Sequence, residues 1–273
     1  MREQIKVFTQ EKNRAFQIEI AGKSWCDGTY MITRPLSRIW VLEYILSGKG
    51  TVEVTDHAKR TYEPKAGDVY LLPPGKRHHY YADAQEPWEK IFVNFSGTVA
   101  DGLAQAYGID ETVYFPMASE TEDLFREMDE LLNEEGLEEA QVARRMELLI
   151  HDVFRSLGRR QAVQRQESEE IETVIKYLDA HVDSLVSIGE LSDLIYRSPD
   201  YLIKHFKAEV GVTPYRYLMK RKIQVAEKLL KDTALPVGEI AARLGYEDAH
   251  YFSGLFKKEK GVSPITYRRG ERL

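Results

Sequence analysis

One stretch near the C-terminal end of this sequence occurs twice. Leu191–Pro214 reads LSDLIYRSPDYLIKHFKAEVGVTP, and Ile240–Pro264 reads IAARLGYEDAHYFSGLFKKEKGVSP. Each begins with an apolar and a small residue, passes a turn, continues through Tyr-apolar to Phe-Lys, and ends in Gly-Val-Thr/Ser-Pro. A segment repeated at this spacing, about 50 residues, is one supersecondary unit used twice. Few folds satisfy that constraint.

The unit predicts two short helices joined by a tight turn. Ala241 sits where the helices approach, so a side chain beyond methyl would separate them. Gly245 can end the first helix with a left-handed backbone. Tyr251, Phe252, Leu255 and Phe256 fall on one helix face, which is expected to pack inward. The opposite face carries His250, Ser253, Gly254 and Lys257; in the first unit it carries Asp200, Ile203, Lys204 and Lys207. A helix with one packed face and one polar, partly basic face, presented by a turn, suits the major groove of DNA. PYRYLMKRKIQVAEKLLKDT, between the units, reads as one long helix. It would hold the two outer faces for successive groove entries, about 34 Å apart on B-DNA. A bundle that binds nothing accounts for the inward aromatics equally well. It does not account for the outer faces, turn glycine and positive charge occurring together.

Charge supports that reading. The chain has 273 residues and a net charge of −6, yet Arg197–Arg269 holds 15 Lys and Arg against 8 Asp and Glu. The remainder carries 23 against 36, a balance of −13 beside +7. An acidic body with a basic C-terminal third is expected where one domain meets phosphates and another does not. Cys26 is the only cysteine, which rules out an internal disulfide and a Cys-rich zinc site. No run approaches the roughly 20 apolar residues of a membrane span, and the N-terminus lacks the apolar core of a signal peptide. A cytoplasmic location with no membrane partner is expected.

With these residues in view, the segment from about Ile171 to Gly270 resembles the DNA-binding domain of the AraC/XylS family of transcription regulators. The resemblance rests on IA…LGY…YF…LFKK..G.SP…YR and covers roughly the last hundred residues. It implies two helix-turn-helix units, about 188–209 and 236–259, in adjacent major grooves of promoter DNA. Carried over, the base-facing positions are Asp200, Ile203 and Lys204 in the first unit and Ala249, His250, Ser253 and Gly254 in the second. The sequence departs from the pattern at Ser192, Arg197, Ala249 and Gly254. The second helix is therefore expected to act mainly through phosphates and shape.

Residues 1–115 read as short strands with Gly and Pro turns, the signature of a sandwich or small barrel. IWVLEYILSGKGTVEV and AGDVYLLPPGKRHHYYA each suggest a strand pair around a turn. GDVYLLPPGKRHHY fits a cupin motif, with Gly67, Pro73 and Gly75 shaping a corner and His78 pointing into the barrel. The region Ile20 to Gly97 resembles the ligand-binding arm of sugar-responsive AraC-type regulators. RPL at Arg34–Leu36 and HHY at His78–Tyr80 are similar to the arabinose-responsive members. The resemblance implies a sugar pocket lined by Arg34, Tyr80, Lys90 and Phe92. Trp40, Tyr44 and Trp88 are further candidates, each equally explained as barrel core.

A metal-dependent cupin enzyme is the alternative. Where it would need His, His and Glu, the chain has Pro35, Ser37 and Val41, and Glu43 is out of register by two. His79 falls on the opposite strand face from His78. One imidazole makes no metal site, so no metal, no cofactor and no catalysis are expected.

After Pro116 the pattern turns helical. Gly136 separates two amphipathic stripes, Leu124, Met128, Leu131, Leu132 and then Val142, Met146, Leu149, Ile150, Val153, with Ser119 or Thr121 as the first cap. The stripes alone fit covering a sheet or pairing with a twin; the resemblance implies that these helices pair two chains. GRRQAVQRQESEE is polar and reads as a linker. The expected architecture is an α+β multidomain chain. It comprises a cupin-like β-barrel at 1–115, a helical dimerisation segment at 116–158, a linker at 159–168 and an all-α domain with two helix-turn-helix motifs at 169–273. The expected function is a ligand-responsive regulator of carbohydrate-utilisation genes, an activator by the family's usual mode, with a small-molecule effector, a homodimer and RNA polymerase as partners.

Overall fold

The computed structural model describes residues 1–9, 15–56 and 58–270, which form two compact units, Met1–Val163 and Gln164–Leu273. Ten strands lie in the first: β1 (Arg2–Val7), β2 (Gln17–Trp25), β3 (Met31–Arg34), β4 (Trp40–Ser47), β5 (Gly50–Thr55), β6 (Lys59–Tyr62), β7 (Val69–Leu72), β8 (Arg77–Ala82), β9 (Glu89–Ser96) and β10 (Tyr114–Phe115). They build a six-stranded antiparallel sheet, β1-β2-β9-β4-β7-β10, and a four-stranded one, β3-β8-β5-β6. Helices α1 (Thr98–Ala106), α2 (Glu122–Asn133) and α3 (Glu139–Ala180) follow.

The two expected strand pairs are not hairpins. β4 bonds to β7 and β9, while β5 bonds to β6 and β8, so the Ser-Gly-Lys-Gly turn carries the chain from one sheet to the other. β7 and β8 likewise belong to different sheets. A tight turn is compatible with either outcome. The apolar faces decide, because both sheets have to close on one interior.

Period-two alternation gives the six-stranded sheet two buried faces. Val41, Ile45, Tyr70, Leu72 and Trp88 pack against Val52, Val54, Tyr80 and Ala82 of the other sheet. Trp40, Leu42, Tyr44, Ile91, Val93 and Phe95 face a second core with Phe125, Met128 and Leu131 of α2 and Val142, Met146, Ile150, Val153 and Phe154 of α3. The two helical stripes are therefore occupied by the sheet. Pairing of chains would have to use the outer side of these helices, where Leu148 is 60% exposed. Thr121 precedes α2 without capping it; its hydroxyl donates to the Ala118 carbonyl instead. The expected linker at 159–168 is not irregular, since it lies inside α3.

The second unit holds the end of α3, then α4 (Ile188–Leu194), α5 (Pro199–Val210), α6 (Pro214–Asp232), α7 (Val237–Arg243), α8 (Ala249–Lys260) and α9 (Pro264–Arg268). Local chemistry explains the repeated Gly-Val-Thr/Ser-Pro. Gly211 and Gly261 end α5 and α8 at φ 80° and 79°, Thr213 and Ser263 cap the next helices, and Pro214 and Pro264 open them. Ser187 and Glu190 form a capping box on α4. One core gathers Ile171, Val174 and Leu178 of α3 with Leu191, Leu202, Phe206 and Leu218. The other gathers Ile223, Ala226 and Leu230 of α6 with Ile240, Ala241, Phe252 and Phe256. α6 thus serves both helix-turn-helix units. Among the described residues no helix is long and apolar enough to cross a membrane.

Candidate effector site and DNA-binding surface

Four inward residues of the four-stranded sheet begin the candidate effector site. On β8, His78 and Tyr80 are buried between the sheets, while His79 faces out and bonds Thr33. Arg34 of β3 lies beside His78 in register, and Ile32 lies beside Tyr80. The Arg34 guanidinium donates to the Tyr80 hydroxyl at 2.6 Å.

The facing sheet contributes a buried ion pair. Lys90 of β9 is 0% exposed. Its ammonium pairs with the Glu43 carboxylate and donates to the Tyr30 and Tyr70 hydroxyls at 3.0 and 3.2 Å. Tyr70 also donates to Glu43. The aromatic rings of Tyr30, Tyr80 and Trp88 surround the ammonium at 4.5, 5.1 and 5.4 Å. Burial, reinforced by Glu43, pushes the Tyr30, Tyr70 and Tyr80 hydroxyls well above their ordinary pKa, so they remain phenols. Burial and then the Arg34 charge depress the His78 pKa to about 4, which keeps its imidazole neutral near pH 7.

Among the described residues Asn94 Oδ1 and the His78 ring nitrogens are buried without a well-formed hydrogen bond, although the Pro73 carbonyl interacts with the imidazole. Such groups are costly to leave unpaired and mark places where a ligand or water completes the bonding.

The expected pocket residues divide. Arg34, His78, Tyr80 and Lys90 converge, Phe92 shares their face on β9 and is partly open, and Trp88 closes one side with its Nε1 on the Pro64 carbonyl. Trp40 does not belong. It faces the helices, stacks on Phe95 and donates to Asp101 at 2.8 Å, because its place in β4 alternates with the inward Val41 and Glu43. Tyr44 goes the same way, to Glu122. Sequence reasoning missed Tyr30, Glu43, Tyr70 and Asn94. Glu43 was legible as the one charge within the apolar run WVLEYILS, where only a paired carboxylate is tolerated. Among the described residues no group of three or more His, Cys, Asp or Glu side chains could hold a metal ion.

The second unit presents its two outer faces as expected on α5, where Asp200, Ile203, Lys204 and Lys207 are all exposed. On α8 the picture is narrower. His250, Gly254 and Lys257 are exposed, but Ala249 packs on the edge of the second core and the Ser253 hydroxyl donates to the Ala249 carbonyl at 2.8 Å. Tyr251 does not pack inward: it is 54% exposed, and only Phe252 and Phe256 anchor the helix fully. Tyr251 occupies the first turn, where its ring lies against Tyr246.

Ion pairing separates structural cations from free ones. Arg197 is held by Glu170, Arg216 by Glu259, Arg221 by Asp179 and Lys260 by Glu227. Among the described residues no carboxylate pairs with Lys204, Lys207, Lys257 or the neighbouring Lys258, which sequence reasoning did not single out. These four are available to phosphates. The turn of the first unit places Tyr196 at φ 54° and 94% exposed, where the second unit has Gly245 at φ 75°.

Two regions of the chain match known families. Residues 18–170 match the AraC-like ligand binding domain family, and residues 191–270 match a helix-turn-helix domain family. The chain is 26% identical over 245 residues to the raffinose operon transcriptional regulatory protein of Pediococcus pentosaceus, covering 84% of each chain. It is 25% identical to the arabinose operon regulatory protein of Escherichia coli, covering 88% of this chain and 84% of that one. The Msm operon regulatory protein of Streptococcus mutans is 24% identical over 94% of both. Among solved structures, the C-terminal domain of AraT from Geobacillus stearothermophilus is 35% identical over 38% of this chain and 87% of that one, with a TM-score of 0.37. The DNA-binding domain of AdpA, solved with target DNA, is 24% identical over 37% and 90%, with a TM-score of 0.36.

Proposed function

We propose, for a chain that belongs to the AraC family of transcription regulators, that the effector bound between its sheets is a sugar and that binding it switches carbohydrate-utilisation genes. The family assignment makes the protein a ligand-responsive DNA-binding regulator. The sugar is suggested by the relatives, whose names include raffinose and arabinose operons.

One observation carries the reading: an interior of aromatic faces and placed polar groups, with the His78 imidazole and Asn94 Oδ1 buried among the described residues without a well-formed hydrogen bond. Aromatic rings accept the C–H side of a pyranose, and fixed donors and acceptors meet its hydroxyls. Ligand binding shifts the balance between two states by its differential affinity for them. The exposed cations of α5 and α8 would then hold promoter DNA through two adjacent major grooves. The reading includes a homodimer, activation through RNA polymerase and a cytoplasmic location.

A thermal-shift screen against monosaccharides and oligosaccharides tests the effector class. A true ligand raises the melting temperature by mass action, and Tyr80→Ala abolishes that rise. If no sugar shifts the wild-type protein, the effector belongs to another class.

A further inference from the structure

We infer that the effector is anionic, a sugar acid whose carboxylate pairs with the Arg34 guanidinium while its hydroxyls bond His78 and Asn94. This rests on the reading of the barrel interior as the effector site, and adds the charge of the ligand.

The argument is a census of charge and of free donors. The interior holds the buried pair Lys90 and Glu43, and the partly buried Arg34 of the edge strand β3 adds a second cation. Glu43 is committed to Lys90 and to the Tyr70 hydroxyl. Lys90 in turn has three N–H donors, and they meet Glu43, Tyr30 and Tyr70. Neither member of that pair has capacity left for a ligand's charge.

Arg34 differs. Its guanidinium offers five donors in a planar fork, and its recorded partner is a single neutral phenol, that of Tyr80. Among the described residues no carboxylate lies within ion-pair distance of it. Glu3 of β1 faces the same way but is exposed, and accepts from Ser24. Lys76 is engaged by Asp56 and Glu111. His78, beside Arg34 in register, is buried and brings no charge.

The interior therefore presents, at Arg34, a cation that no carboxylate among the described residues pairs with, beside a neutral imidazole. A neutral aldose would occupy the hydroxyl positions and leave that charge in place. A carboxylate meets the fork with two parallel hydrogen bonds, the strongest arrangement open to a guanidinium. The rings of Tyr80 and Phe92 remain for the apolar face of the sugar.

The test is calorimetric titration of the full chain with D-glucuronate, D-galacturonate and D-gluconate, each beside D-glucose, D-galactose and L-arabinose. At least one acid is expected to bind, and to bind about 10- to 100-fold more tightly than the neutral aldoses, the range of a charge-assisted hydrogen bond. Arg34→Gln should remove that preference while DNA binding persists, and Arg34→Lys should restore part of it. Neutral aldoses that bind wild type as tightly as the acids would overturn the inference and leave the sugar reading intact. Acids that bind Arg34→Gln as well as wild type would also overturn it. A panel in which no sugar of either kind binds would overturn the sugar reading along with it.

Discussion

Lys222 donates its buried ammonium to the carbonyl oxygen of Leu244 at 2.6 Å, and the same nitrogen reaches the Ser184 carbonyl at 2.8 Å. Leu244 ends α7 in the second helix-turn-helix, and Ser184 lies in the loop ahead of α4 in the first. A side chain of α6 thus ties the two units together. Burial holds the Lys222 pKa below the ordinary lysine value. Gly245 completes the fit, since a Cβ there would come within 2.9 Å of the Asp183 carbonyl oxygen.

Lys222→Met should loosen that joint. Two buried carbonyls lose a charged donor, at about 1–3 kcal/mol of stability. The diagnostic readout is spacing. Wild type should discriminate strongly between an in vitro selected site and the same site with two base pairs inserted between its halves. The variant should discriminate less, although each half is still bound. Equal discrimination in both proteins would make Lys222 a matter of stability alone.

Lys204 is exposed, and among the described residues no carboxylate pairs with it, so Lys204→Ala should weaken binding to the selected site. The loss should be roughly 1–3 kcal/mol with relaxed sequence preference if the ammonium reads a base. If it meets a phosphate, the loss should be uniform across sequences and the log–log salt slope should fall by about 1. Fluorescence anisotropy over a salt series distinguishes these outcomes. An unchanged affinity and slope would take Lys204 off the interface.

Gly254 lies inside α8, and a Cβ built there meets nothing within 4 Å. Gly254→Arg should therefore be accommodated, and it removes the helix penalty of glycine, about 0.5–1 kcal/mol. The variant should melt at higher temperature and bind DNA more tightly with a steeper salt slope. Weaker DNA binding by a stable variant would mean that this face approaches the duplex too closely for a side chain.

His78 predicts an acid-sensitive barrel. Its folded pKa, about 4, is depressed from an ordinary 6.5. The neutral form favours the folded state, so this stability is complete above pH 6.5. It is lost as the pH falls toward 4, where the unfolded chain takes up the proton first. The loss is on the order of 3 kcal/mol. Urea midpoints at pH 7.5 and 4.5 should differ more for wild type than for His78→Gln. Equal differences would assign the acid sensitivity to other groups.

Arg34→Ala should abolish the response to the effector while leaving the DNA-binding surface intact. The measurement is affinity for the selected site with and without ligand. Retained modulation would remove the Arg34–Tyr80 pair from the effector site.

Much of the C-terminal unit could be read without a structure because its determinants are local. Gly211, Thr213 and Pro214 act within a few residues of one another, and so do Gly261, Ser263 and Pro264. His78 and Tyr80 were legible for a similar reason: alternation along β8 sends both to one side. Alternation does not say which side of a strand meets which core. Trp40 and Glu43 lie three positions apart on opposite faces of β4, and of the two only Glu43 points between the sheets. Tyr251 and Ala249 exchanged their expected places because the entry of α8 over its core depends on the partner helices.

The sequence alone therefore determined the repeated helix-turn-helix units, their caps, the basic balance of the C-terminal third and the strand-rich start, all short-range or additive properties. Tertiary structure alone decided that Glu43 neutralises Lys90, that among the described residues no carboxylate reaches Arg34, that the stripes of α2 and α3 cover a sheet, and that Lys222 joins the two helix-turn-helix units. Each of these depends on residues tens of positions apart meeting in a low-dielectric interior, where whether a charge is paired depends on the three-dimensional packing.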